Sequence, residues 1–206
     1  MAFSVLTTNV TGHAALLAVN LAKHSWRAAH MVALWLLLFL AGAFISSLYI
    51  RKAGANKPYA YSVPIIVIIL VLLFVVLFGH DYDGTLVKTE YFAGSLLFAM
   101  GMQNAMVSMI SGSVVRTTHL TGMFTDLGID LAAAALRPKS MDQPLKKKIA
   151  LRLTIILSFL SGGVVGGVLF SYYQYRAFMV SIGILLLALG YDYLRVRLTQ
   201  VIRRKF

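Results

Sequence analysis

The sequence predicts an all-α integral membrane protein built from two inverted repeats, with about five full transmembrane helices and two short re-entrant helices. Apolar residues make up 59% of the 206 residues and charged residues only 13%, whereas soluble domains contain about 25% charged residues. Several apolar stretches approach the roughly 20 residues that a helix needs to cross a bilayer. In addition, a six-residue motif near the N-terminus recurs in the second half of the chain.

The long apolar stretches predict the spanning helices. They cover residues 31–50, 61–79, 92–112, 149–172 and 177–194. Unpaired backbone groups are too costly in lipid, and the alternating pattern of a barrel strand is absent, so we expect all of these stretches to be α-helices.

Basic residues cluster beside these stretches, as the positive-inside rule expects of cytoplasmic loops. Three clusters contain most of the 19 Lys and Arg residues and lie at 51–57, 137–152 and 195–205. The connection 80–91 carries Asp81, Asp83 and Glu90 against Lys88, which indicates an external loop. This topology places the basic tail 197–206 in the cytoplasm, although Lys23 and Arg27 then fall outside. The net charge of +12 therefore indicates contact with anionic lipid and not with nucleic acid.

The recurring motif is Thr-Thr-Asn-Val-Thr-Gly at 7–12 and Thr-Thr-His-Leu-Thr-Gly at 117–122. Each copy precedes a short apolar stretch, 11–22 in the first half and 121–136 in the second. The longer stretch would extend only about 24 Å as a helix, and both of its flanks should be cytoplasmic, so we expect a re-entrant helix. Short helices at matching positions of two halves are typical of the centre of a transporter.

The duplication predicts a first repeat at 1–80, N-terminally incomplete, and a second at 92–196. Phe39-Leu40-Ala41-Gly42 aligns with Phe159-Leu160-Ser161-Gly162. A complete repeat contains three crossings, which is an odd number, so the halves should be inverted. The first repeat lacks a counterpart of the span 92–112. Either the chain lacks an N-terminal segment, which we favour, or five crossings and two short helices suffice.

The motifs resemble those of a known family. Gly101-Met102-Gln103-Asn104-Ala105, Arg116-Thr117-Thr118-His119-Leu120-Thr121-Gly122 and Val10-Thr11-Gly12-His13 are similar to sequences of the YoaK family of bacterial membrane proteins. The resemblance implies about six membrane spans in the complete family and a location in the bacterial inner membrane. It brings no established substrate, cofactor or catalytic residue.

The repeated motifs are the candidate solute site. Thr and Asn before a helix accept hydrogen bonds from its free amides, and a helix N-terminus away from water favours an anion or a dipole. The alternative is that these groups only cap two buried helices, and that the amides on the span 92–112 only join helices. The substrate-binding candidates are Thr8, Asn9, Thr11, Gly12, Gln103, Asn104, Arg116, Thr118, His119, Thr121 and Gly122.

Two further groups of residues stand out. The first, a pair of acids, has a functional and a structural interpretation, and the second, a group of glycines, has a structural one. Asp126 and Asp130 share a face of the second short helix and are candidates for ion or proton coupling. Alternatively, Asp126 complements the helix dipole, and Asp130 either snorkels or pairs with a basic residue such as Lys139. The glycines of the fourth span have GxxxG spacing, which predicts close helix packing; they are Gly162, Gly163, Gly166 and Gly167.

These features predict a transporter or channel for a small polar or anionic solute. The alternative is a membrane scaffold or regulatory protein that transports nothing. HExxH, phosphate-loop and GxSxG motifs are absent, and so is cysteine, so we expect no enzymatic activity, no metal and no cofactor. We expect the lipid bilayer and a small solute as partners, and the oligomeric state stays open.

Overall fold

The computed structural model describes residues 5–55, 57, 59–112, 118–136 and 143–205, with side chains described up to Leu194 except that of Leu86. This part of the chain is helical, with short turns between the helices. The helices are α1 (Val10–Ala22), α2 (Trp26–Ala53), α3 (Ser62–Phe78), α4 (Leu86–Ile110), α5 (Leu120–Leu136), α6 (Gln143–Tyr173) and α7 (Phe178–Lys205). The predicted short helices are therefore α1, with 13 residues, and α5, with 17 residues.

Each predicted span coincides with one of the long helices and extends at most two residues beyond it. Within the part of the chain that the structure describes, four stretches are long and apolar enough to cross a membrane: Trp26–Ala53, Ser62–Asp81, Val87–Ile110 and Gln143–Leu194. The last stretch contains both α6 and α7, which are separated by a 3-10 turn at Gln174–Ala177. Gln174 has φ 51°, a left-handed conformation that breaks the helix. The protein is therefore an all-α membrane protein.

The connection between α3 and α4 is fixed by local hydrogen bonds. The Thr85 side chain caps α4 by accepting from the Lys88 amide at 3.4 Å, and Asp83 accepts from the Thr85 amide at 3.0 Å. Lys88 also lies 3.0 Å from the Asp83 carboxylate. These interactions, led by the bonds from Thr85, lower the pKa of Asp83 to about 2. The start of α4 is thus specified by residues within one turn of it.

The larger of the two cores lies between α2, α3 and α4, and Ile182 of α7 packs into it. α2 and α4 approach so closely that each needs glycine at the crossing. A Cβ at Gly42 would lie 3.0 Å from the Phe98 carbonyl carbon, and one at Gly101 would lie 2.9 Å from that of Phe39. Such distances require displacement of backbone, so only glycine fits here.

A second, smaller core joins α5 to α6. It consists of Met123, Leu127, Ile155 and Ile156. Among the described residues, this cluster shares no buried side chain with the larger core. The α5–α6 pair is therefore a packing unit distinct from the α2–α3–α4 unit.

Corresponding helices pair in the same way in the two halves. α1 packs against α2, α5 packs against α6, and α3 contacts its repeat counterpart α7. The short helix thus rests on the following long helix in each half, as expected from a duplicated helical unit.

Candidate functional site

The two copies of the motif meet in one cavity. This cavity, which we call the central cavity, has a volume of about 590 Å³. Side chains from the first motif, the second motif and three long helices line it. The lining residues are Leu6, Thr8, Asn9, Val10, Thr11, Phe39, Asn104, Ser108, Thr118, His119, Leu120, Thr121 and Phe159. Residues 110 positions apart in the sequence therefore line a single cavity.

The N-termini of α1 and α5 both lie at the central cavity. α1 begins at Val10 and α5 at Leu120, and both residues line the cavity wall. The first amides of a helix have no partner within it, and the helix dipole adds partial positive charge at this end. Two such ends at one cavity favour an anion or the negative end of a dipole.

The two helix starts share a local arrangement in which a side chain folds over a glycine. Asn9 accepts a hydrogen bond from the Gly12 amide at 3.0 Å, and a Cβ at Gly12 would lie 2.8 Å from the Asn9 Cγ. His119 occupies the corresponding place in the second motif, where a Cβ at Gly122 would lie 2.8 Å from its Nε2. The predicted capping interaction is thus present at Asn9, within the cavity wall.

A hydrogen bond joins the second motif to α4. The Thr118 hydroxyl donates to Asn104 Oδ1 at 2.8 Å, and both residues line the central cavity. Asn104 therefore makes an interaction between separate elements, as the structural interpretation predicts, and it does so in the wall of the central cavity. Its amide NH₂ group remains a donor that the carbonyl interaction does not use.

Phe39 and Phe159 are lining residues that sequence reasoning missed as site residues. They are aligned positions of the repeat, on α2 and α6, and both line the central cavity. The alignment of these two phenylalanines was the signal that could have found them. If the two motifs line one cavity, aligned residues of the helices that follow the motifs are expected to line it as well. Ser108 gave no such signal.

Other candidates lie elsewhere. Gln103 lines a separate cavity of about 490 Å³ between α3, α4 and α7. Gly12 and Gly122 lie behind the residues that fold over them and are not among the lining residues. Arg116 lies outside the described residues.

Asp126 and Asp130 form an ion-pair network with Arg152 of α6. Arg152 Nη2 lies 3.2 Å from the Asp126 carboxylate, Nη1 donates to the Asp126 carbonyl oxygen at 2.8 Å, and Nη1 also contacts the Asp130 carboxylate. The Arg152 side chain is 20% exposed and that of Asp130 is 13% exposed. Lys139 lies outside the described residues, and Arg152 is the basic partner of both acids. None of these residues lines the central cavity, so a coupling role stays a prediction.

The glycine face of α6 has no neighbour among the described residues. A Cβ at Gly162, Gly163, Gly166 or Gly167 would find nothing within 4 Å. The aligned Gly42 of α2, in contrast, lies against α4. The close packing predicted for the α6 glycines therefore stays a prediction, because no described helix contacts this face.

Comparison with known proteins gives a family and no function. Residues 1–191 match the family described as "Protein of unknown function (DUF1275)". No curated protein and no solved structure matches the chain. The match is consistent with the resemblance to YoaK-like membrane proteins. The chain belongs to the DUF1275 family of proteins of unknown function.

Proposed function

We propose that the protein is a membrane transporter or channel for a small polar or anionic solute, and that the central cavity is its solute site. The observation that carries the proposal is the convergence of both motif copies on one cavity of about 590 Å³. Cavities of a few hundred Å³ with a few placed polar groups are typical of small-molecule sites. Duplication repeats a capping motif without requiring that its two copies share a cavity, so their convergence supports a shared role.

The chemistry of the lining supports hydrogen bonding to the solute. Hydroxyl groups of Thr8, Thr11 and Thr121 and the amide of Asn104 offer donors and acceptors. The described lining residues include no carboxylate. Together with the two helix N-termini, this set favours a neutral polar solute or an anion over a cation.

Transport would proceed by movement at the seam between the two packing units. The central cavity takes Phe39 from α2 and Phe159 from α6, and these helices belong to different units. Two re-entrant helices in inverted repeats, with their N-termini near the bilayer centre, would then be exposed alternately to either side. Tilting of the α5–α6 unit would widen one entrance while narrowing the other.

We further propose a bacterial inner-membrane location with a cytoplasmic C-terminus. The basic cluster at 195–205 and the acidic connection that contains Asp81 and Asp83 support this orientation. The resemblance to YoaK-like proteins supports the membrane. We infer no catalytic activity, because HExxH, phosphate-loop and GxSxG motifs are absent from the sequence.

A role in assembly is the second candidate. It is favoured by the glycine face of α6, where nothing lies within 4 Å of a Cβ at Gly162 or Gly166. Small residues at this spacing let another helix approach closely. A scaffold protein would use this face without transporting a solute.

Uptake into proteoliposomes tests the transport proposal. Purified protein would be reconstituted and assayed with formate, acetate, nitrate, phosphate, urea and glycerol. We expect uptake of at least one probe, and its loss in Thr11→Val and in Thr121→Val, since each variant removes one hydroxyl from the cavity. Thr125→Val is the control, because the Thr125 hydroxyl bonds the Thr121 carbonyl of its own helix at 3.0 Å. Uptake equal to that of empty liposomes for every probe contradicts the proposal.

A further inference from the structure

A second cavity adjoins the central cavity. Its volume is about 490 Å³, and it lies between α3, α4, α7 and the segment before α1. Most of its lining is apolar, with polar side chains from Thr7, Thr8, Gln103 and Ser181. An apolar cavity with a few polar groups is a common form of small-molecule site.

A short segment forms the wall between the two cavities. Leu6 and Thr8 line both of them. On the opposite side, consecutive residues of α4 face different cavities, Gln103 the second cavity and Asn104 the central one. The backbone at 6–8 therefore separates two spaces that lie along the same stretch of α4.

His13 holds this segment in place. The carbonyl oxygen of Leu6 accepts from the Asn9 amide at 3.0 Å and from His13 Nε2 at 2.9 Å. Nε2 must be the donor here, because a carbonyl oxygen only accepts. His13 is 6% exposed. Its ring contacts the Trp35 ring edge-on, with 5.4 Å between the two ring centroids. The imidazole is thus fixed by α2 on one side and bonded to the wall on the other.

We propose that the two cavities are successive chambers of one solute path, that residues 6–8 are the barrier between them, and that His13 is the positioning residue that keeps the barrier closed. This inference rests on the proposed transport function. The barrier opens when the Leu6 carbonyl leaves His13 and the Leu6 side chain swings out of the contact between chambers. Gln103 and Ser181 then bind the solute in the second chamber.

The two linings also define the class of solute. Among the described residues that line either cavity, His119 is the one titratable side chain. A multiply charged solute would lose its hydration in the mostly apolar second chamber without a countercharge to replace it. The path therefore suits a small solute with at most one charge.

The absence of cysteine from the chain permits a direct test by single-cysteine labelling. Ser181→Cys places a thiol in the second chamber and Ser108→Cys places one in the central cavity. A polar, membrane-impermeant thiol reagent is applied to intact cells and to inverted vesicles. We expect Ser181→Cys to react from one side, and Ser108→Cys to be protected from the reagent on that same side.

Two substitutions then open the barrier independently. His13→Phe keeps an aromatic ring beside Trp35 but removes the donor, and Leu6→Ala removes the bulk of the wall. In the His13→Phe background we expect labelling of Ser108→Cys, from the side that reaches Ser181→Cys, to rise about five- to tenfold, the population change that follows from losing one hydrogen bond. Leu6→Ala should raise the same labelling rate, because it removes side-chain bulk from the wall while keeping the hydrogen bond of the backbone carbonyl. Labelling of Ser181→Cys should stay unchanged, which separates opening from general loosening. His30→Phe, at an exposed position of α2, should change neither rate.

Three results would overturn the inference. The first is equal labelling of Ser108→Cys and Ser181→Cys from one side when no barrier substitution is present. The second is no reaction of Ser181→Cys from either side. The third is no increase in the labelling of Ser108→Cys with either barrier variant. Failure of the barrier is distinct from failure of the transport function, because uptake by the parent protein and its loss in Thr11→Val are measured separately. Uptake with unchanged labelling rejects only the barrier.

Discussion

At the level of single residues, the two helix starts depend on a glycine beneath a folded-back side chain. Gly122→Ala should displace the His119 ring, since its Cβ would lie 2.8 Å from Nε2. We expect a loss of about 1 kcal/mol of stability, at the low end of the usual effect of overpacking, because the ring can move away from the new Cβ. Gly128→Ala, on the same helix with open space around it, should instead stabilise by about 0.5–1 kcal/mol. Thermal unfolding in detergent compares the two, and equal effects would contradict the packing at Gly122.

The bond between Thr118 and Asn104 predicts a second effect on stability. Thr118→Val keeps the side-chain shape but leaves Asn104 Oδ1 without its donor at 2.8 Å. The expected loss is about 1–2 kcal/mol, because a half-buried acceptor loses its partner. Thr125→Val, whose hydroxyl is exposed, should change the unfolding temperature by much less. A Thr118→Val variant as stable as the parent would indicate that water replaces the hydroxyl.

Arg152 predicts a larger effect, because two carboxylates share it. Arg152→Met leaves Asp130, whose side chain is 13% exposed, next to Asp126 without a countercharge. We expect a loss of about 1–3 kcal/mol, less than for a fully buried pair because Asp126 is half exposed. Adding Asp130→Asn to Arg152→Met should restore part of it. Arg27→Met, at an exposed position, is the control, and an equal effect of both arginine variants would contradict the network.

At the level of helices, aligned glycines of the two repeats should respond differently. Gly42→Ala forces apart α2 and α4, because the new Cβ would lie 3.0 Å from the Phe98 carbonyl carbon, and overpacking typically costs about 1–3 kcal/mol. Gly162→Ala meets open space and should be neutral or slightly stabilising in detergent. The measurement is thermal unfolding of the purified protein. Destabilisation by Gly162→Ala would mean that another helix covers α6, which favours the assembly role.

The helices themselves were largely predictable from the sequence. Spans and short helices were located correctly because apolar runs and N-cap residues are local signals. Small residues around Gly42 indicate close packing of α2, but the partner helix α4 and its Gly101 could not be predicted, since the spacing of small residues does not identify the helix that packs there. The ion pair of Arg152 was also missed, because a basic residue near a span end is equally consistent with a cytoplasmic loop.

At the level of the whole molecule, the duplication predicted that the two motifs act together, and the central cavity brings most of their residues together. The second cavity was not predictable, because its wall depends on how α3, α4 and α7 pack around residues 6–8. Gln103 and Asn104 illustrate the difference. They are adjacent in sequence, yet α4 directs them to separate cavities.

The central claim is that both motifs form one solute site, and ligand-induced thermal stabilisation tests it most directly. The purified protein would be heated with formate, acetate, nitrate, phosphate, urea or glycerol, alongside Thr11→Val, Thr121→Val and the control Thr125→Val. The account predicts that at least one probe raises the unfolding temperature of the parent and the control, and that each motif variant loses this rise. A rise that survives in either motif variant, or that no probe produces, would contradict a shared site.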